Sequence, residues 1–93
     1  MRDEIKKLVA MGPLPSEDDT RSIELFEEAL HSIKSPVTDE EAEALLPVFG
    51  PDDCFGLSWT LLHLVETSPT PFPQEQPGPE ANPWLQLLYA RAH

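Results

Sequence analysis

The stretch Gly50-Pro51-Asp52-Asp53-Cys54-Phe55-Gly56-Leu57-Ser58-Trp59-Thr60-Leu61-Leu62-His63-Leu64-Val65-Glu66-Thr67 decides the fold. Gly50-Pro51 is a tight break, and Asp52 carries an N-cap side chain, so a helix is predicted over residues 53–67. On a helical wheel Phe55, Leu57, Trp59, Leu61, Leu62, Leu64 and Val65 cover most of the circumference. Gly56, Thr60, His63 and Thr67 share the narrow wedge that is left. A helix apolar nearly all round belongs at a centre, with neighbours on at least two sides.

The flanking sequence supplies those neighbours. Upstream, Thr38 with Glu41 three residues later is a capping box that opens a helix over 39–49. Its stripe is Ala42, Leu45, Leu46 and Phe49, and Pro47 should distort its last turn. Before it, residues 17–34 carry Ile23, Phe26, Leu30 and Ile33 at helical spacing. Ser16 reads as the N-cap there, with Glu17, Asp18 and Asp19 in the first turn, where the helix dipole favours acids. Residues 2–11 form a first helix with Ile5, Leu8 and Val9 on one stripe, ended by Gly12-Pro13-Leu14-Pro15.

Downstream, six of the chain's 11 prolines fall between Pro69 and Pro83. Residues 68–82 therefore read as a stiff Pro-rich strap, with Phe72 its one large apolar residue. Asn82 as N-cap and Pro83 at the first position then start a helix over 83–92 that holds Trp84, Leu85, Leu87, Leu88 and Tyr89. No strand pattern occurs. The expected fold is all-α: residues 1–93 as one small bundle of about five helices. The short links predict an up-down arrangement, with the helix over 53–67 at its centre and the last helix closing the core.

The chain has 93 residues, a mass of 10.4 kDa and 40% hydrophobic residues, which suits a single modest core. Seventeen Asp and Glu against six Lys and Arg give a net charge of -11. That balance argues against a nucleic-acid binder, whose affinity rests on cations that neutralise phosphates. No apolar run approaches the roughly 20 residues of a membrane span. Cys54 is a lone cysteine, which excludes an intrachain disulfide and a multi-Cys zinc site. The charged N-terminus lacks the apolar core of a secretory signal, so the expected location is the cytoplasm.

No catalytic, cofactor or metal motif is present. Cys54 and His63 stand on opposite sides of a continuous helix, about 13 Å apart along it, and cannot form a nucleophile–base pair. His31 and His93 have no partner at ligand spacing. Glu66 falls on the apolar side, between Phe55 and Trp59, in a last turn where the dipole disfavours an acid. It reads as an acceptor for the following loop or the Trp84 indole N–H, or as a recessed binding carboxylate. Trp59 and Trp84 read as core. Phe72 is either an anchor that tucks the strap onto the bundle or an exposed contact.

The informative feature is the placement of acids. Residues 1–15 are net positive, and the negative excess lies in residues 16–69. Seven acids at helix starts, Asp52 and Asp53 among them, fit simple capping. Glu24, Glu27 and Glu28 do not, and Glu24 and Glu28 repel each other at i, i+4 by a few tenths of a kcal/mol. An acidic face of Glu24, Glu27, Glu28, Asp39, Glu40 and Glu43, with Asp52, Asp53 and Phe72 as further contacts, predicts a protein partner with a basic surface. A solvated face that only confers solubility is the other reading of the same residues.

The acidic turn followed by Trp59-Thr60-Leu61-Leu62-His63-Leu64, a W-x-L-x-x-L pattern, resembles the second helix of a HEAT-like hairpin. Small acidic helical proteins of this kind resemble immunity proteins that protect bacteria from their own polymorphic toxins. The resemblance implies a helical hairpin and a non-enzymatic inhibitor that occludes a basic toxin active site, with no cofactor and no catalytic residue. Acyl carrier proteins are excluded: their attachment serine sits in an Asp-Ser-Leu motif at a helix start, whereas Ser58 lies inside a helix as Leu57-Ser58-Trp59. Two alternatives stay open: a small structural or regulatory subunit of an obligate complex, and an acidic nucleic-acid mimic.

Overall fold

A capping box opens one helix and an asparagine cap opens another where the sequence places them, and the core is built on the stripes between. The computed structural model describes residues 1–50 and 56–92. It contains α1 (Asp3–Ala10), α2 (Thr20–His31), α3 (Asp39–Leu45), a 3-10 turn (Leu46–Val48), α4 (Leu57–Glu66) and α5 (Pro83–Ala92), with no strand among the described residues. The all-α bundle of five helices stands. The expectations for Asp52, Asp53, Cys54, Phe55 and His93 lie outside the described residues.

Local chemistry accounts for the boundaries. Thr38 Oγ1 accepts from the Glu41 N–H at 3.2 Å, and Glu41 Oε1 accepts from the Thr38 N–H at 2.9 Å, completing the capping box. Pro47 has no N–H to continue α3, and the chain tightens into the 3-10 turn at Leu46–Val48. Asn82 Oδ1 accepts from the Trp84 N–H at 2.9 Å at the head of α5.

Two helix starts differ from expectation. α2 begins at Thr20 with Asp19 as its cap, whose carboxylate accepts from the Ser22 N–H at 3.2 Å. Ser16 therefore is not the cap, and Glu17 and Asp18 lie in the preceding turn. Leu14, buried and bonded through its N–H to the Val48 carbonyl at 2.7 Å, holds that approach away from the helix axis. α4 begins at Leu57, because Gly56 takes a φ of 94°, a left-handed conformation outside the helical region. Gly50 has a different role: a Cβ there would run into the Leu14 carbonyl, so the close approach of these two segments needs glycine.

α4 packs against α2, α3 and α5, the position expected of the central helix. Leu57, Leu61, Leu62 and Val65 are buried with Ile5, Leu8, Ile23, Phe26, Leu30, Ala42, Leu45 and Phe49. The packing is not a simple up-down order. α1 packs against both α2 and α3, and α4 against the same two, so α2 and α3 stand diagonally across the bundle. The segment between them is held by Arg2, which donates to the carbonyls of Lys34 at 2.8 Å and Pro36 at 3.3 Å. Thr67 Oγ1 accepts from the Val37 N–H at 3.0 Å in the same segment.

Candidate functional site

The predicted acidic face draws its residues from two helices. Glu24, Glu27 and Glu28 are exposed on α2, and Glu40 and Glu43 are exposed on α3. The two sets stand on different helices, each of which packs against α1 and α4. Asp39 is withdrawn from either face. It is half-buried, and its carboxylate accepts from the Thr70 N–H at 2.9 Å and the Thr70 hydroxyl at 2.7 Å. That pair clamps the strap to the head of α3.

Phe72, two residues further, is 8% exposed and packs in the core, so it is the anchor of the strap and not an exposed contact. The strap is tied at its far end as well. Asn82 Nδ2 donates to the carbonyls of Phe49 and Gly50 at 3.0 Å each, and Gln86 Nε2 donates to the Ala81 carbonyl at 2.9 Å.

The α2 acids form no ion pair among the described residues. Among the described residues Arg2 and Arg91 are committed to the ion pairs at Glu41 and Glu66. None of Glu24, Glu27 or Glu28 has an ion-pair partner, although Arg21 lies three residues before Glu24 on the same helix. An exposed run of acids attracts a basic surface from a distance within the Debye length.

Glu66 differs from both readings of it. Arg91 on α5 grips it through Nε at 2.8 Å and Nη2 at 3.2 Å, and neither the following loop nor the Trp84 indole is its partner. The reason is the docking of α5 along α4, which brings the last turns of the two helices side by side. The same contact explains Trp59. It is 39% exposed instead of core, with Trp84 edge-on to it at 5.4 Å between ring centroids and the Arg91 guanidinium 6.0 Å from its ring. α5 covers one flank of α4 and leaves the outer side of Trp59 in solvent.

Glu41, the capping glutamate, is a residue whose weight the sequence did not reveal. Its side chain is 1% exposed and receives Arg2 Nε at 3.0 Å, Arg2 Nη2 at 3.1 Å and the Arg2 N–H at 3.1 Å. These bonds, Arg2 first, hold its carboxyl down at about 2 against burial, which pushes the other way. A groove of about 730 Å³ opens beside this pair, lined by Val37, Thr38, Glu40, Thr67 and Pro69 among others.

α2 and α4 bring His31 and His63 to one groove of about 350 Å³ with Leu30, Ile33, Thr60 and Leu64. Each lies on the outer flank of its helix, next to a buried stripe, and that phase is the signal the sequence held. The wedge of Thr60, His63 and Thr67 is solvent-exposed, as the wheel indicates. Among the described residues no three His, Cys, Asp or Glu side chains gather as a metal ion requires. No helix among them is long and apolar enough to cross a membrane. Compared with protein-family models, with curated proteins and with solved structures, the chain matches none of the three.

Proposed function

We propose that this protein is a non-enzymatic binding module of the cytoplasm that docks a basic surface of another protein through the acidic ridge of α2. The observation that carries this reading is the run Glu24, Glu27 and Glu28, exposed on one helix with no ion-pair partner among the described residues. Placing like charges at i, i+4 costs helix stability, and a basic partner would turn that cost into attraction. In the immunity-protein form of the reading, the partner is a toxin whose basic residues serve a nucleic-acid or nucleotide substrate. Inhibition is then steric and electrostatic, with no turnover. The contact set is Glu24, Glu27 and Glu28, with Glu40 and Glu43 as a second patch.

The test is capture from a lysate of the source cell with the wild-type chain and with Glu24→Lys/Glu27→Lys, washed at low and high salt. A basic protein held by the wild type, lost by the variant and released by salt supports the reading. A partner that both chains hold through high salt sinks it.

A second reading, an obligate subunit, is favoured by the exposed Trp59 and by α5, where Leu88 alone is buried and Trp84, Leu85 and Leu87 are half-covered. Sedimentation velocity over a wide concentration range separates the two. A monomer throughout favours the inhibitor, and an oligomer that persists on dilution favours the subunit.

A further inference from the structure

We propose that a second copy of this chain docks on the groove between α1 and α2, in a reversible two-fold dimer. Lys7 and Met11 from α1 and its C-cap, with Leu25, Glu28, Ala29 and Ser32 from α2 and its C-cap, line this groove of about 360 Å³. Leu25 is 52% exposed, more than Met1 or Trp59, the other large apolar side chains in solvent among the described residues. Met11 is half-buried in the same groove. An apolar centre flanked by charge is the general make-up of a protein interface.

The charges select the occupant. Lys7 and Glu28 share the groove, yet no ion pair joins them, and neither has an ion-pair partner elsewhere among the described residues. A groove that bears one unpaired cation and one unpaired anion is complementary to itself. In a two-fold contact residue i meets residue j and j meets i, so each copy's Lys7 faces the other's Glu28 while the two Leu25 side chains meet near the axis. A uniformly basic surface would be repelled by Lys7, and a uniformly acidic one by Glu28. The charge of the whole chain points to the same face. At a net charge of -11, two copies repel each other over most of their surface. Exposed Lys6 and Lys7 make the end of α1 basic, and α2, packed beside it, carries Glu24, Glu27 and Glu28. Two copies related by a two-fold axis therefore set the basic end of one α1 against the acids of the other α2. The remaining candidates hold no such selector. No acid, Lys or Arg lines the groove between α2 and α4, and beside Trp59 the charges of Arg91 and Glu66 are paired with each other. The dimer dissociates on dilution, unlike an obligate subunit. It covers Glu28, so it competes with a partner docked on α2.

The test is sedimentation velocity on the full chain from about 1 µM to 1 mM, the span of a weak association. The wild type should pass from monomer to dimer across that range, and added salt should move the transition to higher concentration. Leu25→Gln removes the apolar contact at an exposed site, and should leave the melting temperature unchanged while weakening the dimer about tenfold. Lys7→Glu and Glu28→Lys each bring like charges together across the axis, and should each weaken the dimer about tenfold. Glu28→Lys also lowers the net negative charge of the chain, so general repulsion alone would make it associate better. An equimolar mixture of these two variants restores both opposite-charge pairs in one heterodimer, and should associate about as tightly as the wild type. A wild type that stays monomeric throughout overturns the proposal and leaves the acidic-docking reading untouched. A dimer that Leu25→Gln and both charge reversals leave intact also overturns it, and places the contact on another face. So do two weakened variants whose mixture fails to recover.

Discussion

Arg2 and Glu41, 39 residues apart, form the bond that ties the head of α1 to the head of α3. Glu41 Oε1 also accepts the Thr38 N–H, so one carboxylate both caps α3 and fastens the N-terminus. Glu41→Gln keeps the shape and loses the charge-assisted bonds, and should lower stability by about 2 kcal/mol at neutral pH. The pH dependence has a fixed sign. The folded state holds this carboxyl at about 2, below its ordinary 4.5, so its contribution is complete above about 4.5 and disappears as pH falls toward about 2. Urea unfolding of the two proteins should therefore differ at pH 7 and converge near pH 2. A constant difference across that range would show that Glu41 acts by shape alone.

The Asp39–Thr70 clamp and Phe72 hold one end of the strap by different means. Thr70→Val should cost about 1 kcal/mol, and Asp39→Ala a similar amount, with the double variant costing less than their sum. Phe72→Ala should cost about 3 to 4 kcal/mol, because it empties a buried site. Chemical denaturation gives the energies. Limited proteolysis should cut residues 68–82 faster in all four variants than in the wild type.

Two glycines make opposite demands. Gly56→Ala meets open space but keeps a φ of 94°, and should cost about 1 kcal/mol. Gly50→Ala meets the Leu14 backbone, which cannot swing aside as a side chain can, and should cost about 3 kcal/mol. Thermal unfolding that ranks Gly56→Ala as the more damaging change would contradict the close approach of Gly50 to Leu14.

Removing a charge from α2 should separate stability from binding. Glu24→Gln relieves the repulsion with Glu28 and should raise stability by a few tenths of a kcal/mol. If the ridge binds a basic partner, the same change slows association and flattens its salt dependence. Stopped-flow rates at two ionic strengths would check the second half, and a melting curve the first.

The local features were legible in the residues. The five helices, the Thr38–Glu41 box, the Asn82 cap and the break at Pro47 all depend on groups within about four residues of one another. Periodicity also placed Leu57, Leu61, Leu62 and Val65 in the core. It failed for Trp59 because a wheel records which residues are apolar, not how far a neighbour extends to cover them. It misplaced the start of α4 because a glycine inside an apolar run looks helical until its φ is known. The α2 start moved for a similar reason: Ser16 and Asp19 are both able caps, and the path of Leu14 into the core chose between them.

The sequence by itself determined an acidic, all-helical single chain, because hydrophobic period, caps and charge are properties of neighbours along the chain. Only the tertiary structure decided that Arg2 belongs to Glu41, Thr70 to Asp39 and Arg91 to Glu66, since those bonds span 39, 31 and 25 residues. It also decided that α1 and α4 each pack against both α2 and α3, and that His31 and His63 share a groove. Such relationships depend on which helix packs against which, and a one-dimensional pattern leaves that choice open until the core closes.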